Sequence, residues 1–194
     1  MDGETITYLM GEWTSHPTRS ATAYYPECKT LGYDEEISFR AEPAKAKLVA
    51  YRASAYVGEG HKALTHSTGF VYLRPENVVG MHIASGNGVN EVQTGQIFGG
   101  DEEVPESVCD LPHALENDLL SPLGPEWTRA AVLLVGATAF GRFPWASQPF
   151  VTSVSRSYVV YVDGEGNKIM DVIMAMGTDA KSHQHHLVGR YAPK

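Results

Sequence analysis

Apolar and polar residues alternate with a period of two along most of this chain, in segments closed by Gly, Pro, Asn or Asp. That period is the signature of half-buried β-strands. Tyr33 to Arg40 places Tyr33, Glu35, Ile37 and Phe39 on one face, and Lys47 to Val57 carries Leu48, Val49, Tyr51 and Tyr56, a composition rich in strand formers. Lys62 to Arg74 predicts another strand, in which Gly69 marks a bulge or a close backbone approach. Asn77 to Ser85 and Val89 to Phe98 face each other across Gly86-Asn87-Gly88, a compact hairpin turn that calls for positive φ.

Near the C-terminus, Phe150 to Val162 and Lys168 to Met176 flank Asp163-Gly164-Glu165-Gly166-Asn167, which predicts a second hairpin. The apolar pattern then lapses until His186 to Tyr191, a short closing strand. Between Gly99 and Pro149 the pattern changes, punctuated by Pro105, Pro112, Pro122, Pro125, Pro144 and Pro149. This stretch predicts a long insertion with one strand, Arg129 to Gly136, and one or two helical turns within Ala114 to Leu120. An insertion of this size is more often a lid or an added functional element than a plain connection. About ten antiparallel strands in hairpin order leave two stable solutions, a sandwich or a closed up-and-down barrel, and a small barrel can enclose one small ligand.

Length and composition narrow the class. The chain has 194 residues and 43% hydrophobic residues, which suits one domain over 1–194 with a sizeable core. Fifteen Lys and Arg against 23 Asp and Glu give a formal charge of −8, so neither nucleic acid nor an anionic membrane is an expected partner. Cys28 and Cys109 have no metal-site spacing and read as two buried thiols. Met1-Asp2-Gly3-Glu4 lacks the pattern of a secretory leader, and the longest apolar run, Ala130 to Val135, is far short of a membrane span. A soluble, cytoplasmic protein is expected, with a homodimer left open.

The strongest chemical signal is His183-Gln184-His185-His186-Leu187. On an unbroken strand His183 and His185 share one face and His186 takes the other, so the three act together only if the strand breaks. A solvent-facing His183/His185 pair would bind a divalent metal adventitiously; an inward His186 would offer its imidazole to something in the core. His66, beside Gly69, is the second candidate. Ser67 lacks the context of a nucleophile elbow, and Gly86-Asn87-Gly88 is no phosphate loop. Asp34-Glu35-Glu36 and Asp101-Glu102-Glu103 read as solvated strand ends.

A distributed set of landmarks resembles the nitrobindin family, which includes the heme-binding domain of a THAP-type zinc-finger protein. Gly11-Glu12-Trp13 followed by Tyr25-Pro26 is similar to the family's GxW…YP opening, and Tyr33 to Ile37 to its acidic strand. Leu64 to Phe70 resembles the LHxExGF strand, Gly88 to Gly95 the TGxxEVxxG hairpin, and Ser155-Arg156-Ser157-Tyr158 the SRxF strand. Met174 to Thr178 leading to His186-Leu187 resembles the MATTT…HL ending. The resemblance implies an all-β fold, an up-and-down antiparallel barrel of about ten strands, lipocalin-like, with heme b at one mouth. It implies His186 as the axial iron ligand; Thr65, His66, Ser85 and Met176 are the residues expected in the pocket wall. Glu27 stands where the family has a threonine near the heme, and its carboxylate would repel heme propionates. The function implied is nitric oxide binding and isomerisation of peroxynitrite to nitrate.

Two functions therefore compete. In the first, His186 holds heme and the protein acts on nitrogen oxides. In the second, a heme-free lipocalin-like pocket binds an apolar small molecule, as a carrier or as a cyclase in natural-product synthesis. There Trp127, Phe140, Phe143 and Trp145 would line and cap the cavity, and His66 or His186 would be the catalytic proton donor or polarising group. A zinc site on His183 and His185 lacks further converging ligands.

Overall fold

A computed structural model describes residues 4–15, 21–23, 31–43, 47–58, 62–106, 121–146 and 148–194. After a single helical turn, α1 (Glu4–Thr7), eleven strands follow: β1 (Gly11–Ser15), β2 (Ala21–Ala23), β3 (Leu31–Ala41), β4 (Leu48–Val57), β5 (Lys62–Leu73), β6 (Val78–Ser85), β7 (Val89–Gly99), β8 (Thr128–Arg142), β9 (Val151–Val162), β10 (Lys168–Thr178) and β11 (Gln184–Pro193). Each of β3 to β11 pairs antiparallel with its neighbour in sequence. β1 and β2 lie end to end in one gap: β1 bonds β3 and the end of β11, and β2 bonds β3 and the start of β11. Eleven strands thus close a ring of ten positions, the lipocalin-like barrel that the sequence predicts.

Alternation sorts the residues. Phe39, Tyr51, Val71, Met81, Leu133, Val135, Tyr158, Met170 and Tyr191 meet in one buried interior cluster. Burial of large side chains on this scale dominates the stability of such a fold. One end of the barrel is plugged. Ile6 and Leu9 join the interior, and the indole of Trp13 donates to the Leu9 carbonyl at 2.8 Å. The opposite end, at the β2–β3, β4–β5, β6–β7, β8–β9 and β10–β11 connections, is the mouth.

The 99–149 insertion divides differently from its expected form. β8 runs from Thr128 to Arg142, well beyond the predicted Arg129 to Gly136, because a bulge between Val92 and Gln93 of β7 accommodates Thr138. The Thr138 hydroxyl donates to the Val92 carbonyl at 3.1 Å. The described residues that precede β8, 99–106 and 121–127, belong to the plugged end and pack on the outer wall, where Phe98, Val104, Leu123 and Trp127 cover Val132, Val159 and Tyr161. Arg129 ties this cover down through the carbonyls of Gly100 and Glu102 at 2.9 and 2.6 Å. Beneath it the buried Arg190 grips Asp171 at 2.6 and 2.7 Å and donates to the Ser121 carbonyl at 3.0 Å. Trp127 therefore caps no cavity. Among the described residues, 143–146 and 148–150, between β8 and β9, lie at the mouth together with the end of β8. The helical turns expected within Ala114 to Leu120 fall outside the described residues, as do Cys28 and Cys109.

Candidate functional site

His186 owes its place to an irregularity. The β10–β11 register pairs Met174 with Leu187 and Ala175 with His185, so His186 is the extra residue of a β-bulge. Counting back from Leu187, which packs against the interior, strict alternation would turn His186 to the outer wall. The bulge lifts that constraint at the rim of the mouth. Nδ1 of His186 is sealed from solvent.

The other histidines of the cluster belong to the outer wall. His185 stands opposite Ala175, on the face away from Met174 and Leu187. Ser153 and Ser155 engage both ring nitrogens of His183, Nδ1 at 2.8 Å and Nε2 at 2.9 Å. Gly177 makes room for this arrangement, since a Cβ there would stand 2.6 Å from Ser153 Oγ. Burial holds the His183 imidazole below its usual range, which favours the neutral form. Among the described residues no group of three metal-binding side chains forms.

Of the predicted wall residues, Thr65, Ser85 and Met176 fall on the inner face at the mouth. Thr65 pairs with the interior Ala55; Ser85 follows the interior Met81 and Ile83; Met176 follows Met170 and Val172. The Ser85 hydroxyl lies 2.9 Å from that of Ser67, its partner across β5 and β6. Five strand positions separate β6 from β11 in the ring of ten, so these hydroxyls face the His186 strand across the opening. His66 does not belong with them. Gly69 and Val71 point inward, and the same alternation turns His66 outward, where it bonds Ser54 at 2.8 Å. Glu27 lies outside the described residues.

Beneath the mouth is a buried polar floor that acidity and alternation together announce. Glu35 shares the inner face of β3 with Tyr33 and Ile37 and is buried, contrary to the expectation of a solvated strand end. Its carboxylate accepts from Tyr191 Oη at 2.5 Å and Tyr33 Oη at 3.5 Å. Burial pushes this carboxyl up, against the lowering effect of Tyr191, Arg156 and Tyr33. Gly189 permits the contact, because a Cβ there would stand 2.7 Å from the Tyr191 hydroxyl. Beside it Arg156 grips Glu91 at 2.5 and 3.2 Å, and Gln93 donates to the same carboxylate at 2.5 Å. The sequence marks Glu91 and Arg156 only through their landmarks.

A raised carboxyl carries a definite pH signature. Below the ordinary carboxyl value near 4.5 Glu35 is protonated in both the folded and unfolded chain and costs nothing. As pH rises past that value the unfolded chain ionises first, so the folded state loses stability until its own carboxyl ionises. Glu35→Gln is therefore expected to be more stable relative to wild type at pH 7 than at pH 4.5. Urea titrations at both pH values measure this, and an equal difference at both would refute it.

The described residues suit heme. They offer the His186 imidazole at the rim, a thioether and hydroxyls near it, and the rings of Phe140 and Phe150 flanking Arg142, rather than the three or four convergent ligands of a zinc site. A separate groove of about 280 Å³, lined by Thr94, Gln96, Phe98, Leu134 and Ser155, opens on the outer wall and has no access to this chemistry.

A closed antiparallel barrel with His186 at its mouth and a polar floor below has the lipocalin-like fold. Residues 3–114 match the sequence model of the THAP4-like, heme-binding beta-barrel domain, and the chain belongs to that family. The matched span ends before β8, so it does not reach His186. A search of curated proteins returns no match. Among solved structures the chain is similar to Rv2717c from M. tuberculosis, with a TM-score of 0.70 and 19% identity over 99% of this chain and 96% of that one. That similarity shows the fold.

Proposed function

We propose that the chain binds heme b at the barrel mouth with His186 as axial ligand and acts on nitrogen oxides, binding nitric oxide and isomerising peroxynitrite to nitrate. The observation that carries this reading is the bulge, which sets His186 at the rim in a chain of the heme-binding family. Bound heme would supply a ferric centre with one open side for such small oxides. The remaining tasks fall to the chain. With Nδ1 sealed, His186 would ligate through Nε2. Phe140, Phe150, Met176 and Leu187 make the rim apolar and exclude water from the bound group. The hydroxyls of Thr65, Ser67 and Ser85 offer hydrogen bonds to a polar oxide. His66, on the outer wall, has no part in this chemistry.

Titrating wild type and His186→Ala with hemin tests the reading. The wild type is expected to give a stoichiometric Soret band, which the variant loses together with about tenfold or more in affinity. An unchanged band in the variant removes His186 as ligand. Absence of specific hemin binding by the wild type removes heme and favours the colourless pocket for an apolar small molecule.

A further inference from the structure

The inner face of β8 carries a cation out to the rim. Phe140 stands opposite Glu91 and Arg142 opposite Val89, and both of those β7 residues continue the inward series of Gln93 and Ile97. The guanidinium carbon of Arg142 lies 5.6 Å from the centre of the Phe140 ring and 5.7 Å from that of Phe150, within reach of cation–π attraction on both sides. One Nη2–H donates to the Val151 carbonyl. Two rings and one carbonyl thus hold the group still while most of its five donors stay available. Arg156 and Arg190 spend their forks on Glu91 and Asp171, and Arg40 meets Glu12; among the described residues no carboxylate forms an ion pair with Arg142. Just beyond it Phe143 and Trp145 stack at 4.8 Å with an interplanar angle of 2°, and the indole is 66% exposed. Trp145 seats over Gly88, at the turn between β6 and β7 on the same rim.

We infer that Arg142 receives the anionic end of the ligand seated in the mouth, and that this ligand is a flat, largely apolar molecule bearing a carboxylate. The chemistry matches: a held planar fork binds a carboxylate in two parallel hydrogen bonds, and the aromatic shoulders suit the apolar body beside it. The inference rests on the mouth being the ligand site. A porphyrin with propionates and a smaller aromatic carboxylic acid share this chemistry.

Two probe pairs, each differing in its carboxylate, decide it: hemin against hemin dimethyl ester, and 2-naphthoic acid against methyl 2-naphthoate. Each is titrated into wild type, Arg142→Gln and Arg142→Lys, with circular dichroism and thermal unfolding confirming the fold. Wild type is expected to prefer the anionic member by about tenfold. Arg142→Gln should lose that preference while binding the neutral member as well as wild type does, and Arg142→Lys should retain part of it. An Arg142→Gln protein that keeps the full preference in both pairs, or a wild type that shows it in neither, overturns the inference. If hemin binds but neither pair shows the preference, Arg142 fails while heme stands. If hemin does not bind at all, heme fails, and the naphthyl pair alone decides Arg142.

Discussion

Arg156→Met is expected to lower the unfolding free energy by about 3–5 kcal/mol. The guanidinium and its partner are both buried, with side-chain exposures of 11% for Arg156 and 7% for Glu91. Removing the cation leaves Glu91 charged inside the barrel, with Gln93 as its remaining donor. Part of the attraction that restrains the Glu35 carboxyl goes with it. The pair as a whole is worth far less than either half, because its mutual attraction mainly offsets the desolvation of two ions. Arg156→Met combined with Glu91→Met should therefore recover most of the loss. Urea titration at pH 7 measures both variants. A single variant within 1 kcal/mol of wild type, or a double variant worse than the single, would show that the pair does not behave as a buried ion pair.

Gly69→Ala should cost about 3 kcal/mol, through a different mechanism. A Cβ at 69 would stand 1.8 Å from the carbonyl oxygen of His82 and 3.0 Å from Cα of Ile83, both backbone atoms of the paired strand. Neither atom can swing aside, so β5 and β6 must part, and the neighbouring pair Val71 and Met81 is pulled out of the interior with them. Gly32→Ala is the control: nothing lies within 4 Å of its added Cβ, and its effect should stay within about 0.5 kcal/mol. Equal melting temperatures for the two variants would sink the steric account.

Much of the barrel is legible as period two, because each interior residue is flanked by outward ones. The same rule carries the site further than residue chemistry does. Alternation alone places Glu35 beside Tyr33 and Ile37, and only the habit of sending carboxylates to water argues otherwise. It places Thr65 inward and His66 outward once Gly69 is known to face the interior, and here the chemically attractive histidine misleads. The hairpin rule also applies to the insertion. Successive connections alternate between the two ends of an up-and-down barrel, so a segment following the 86–88 turn by one strand must emerge at the opposite end. Proline-rich composition says nothing of the end at which a segment emerges. The bulge at His186 has no such signature, since one skipped residue in a register leaves no mark in composition or spacing.

The single seam of the ring also orders events in time. β11, the last strand of the barrel to be made, bonds β1 and β2, the first two. More than 160 residues lie between partners such as Ala23 and Leu187, so the ring closes only once β11 itself has been made, and contacts this distant slow folding. His186 stands on that final strand. A nascent or truncated chain lacking it has neither a sealed wall nor the His186 imidazole at the mouth.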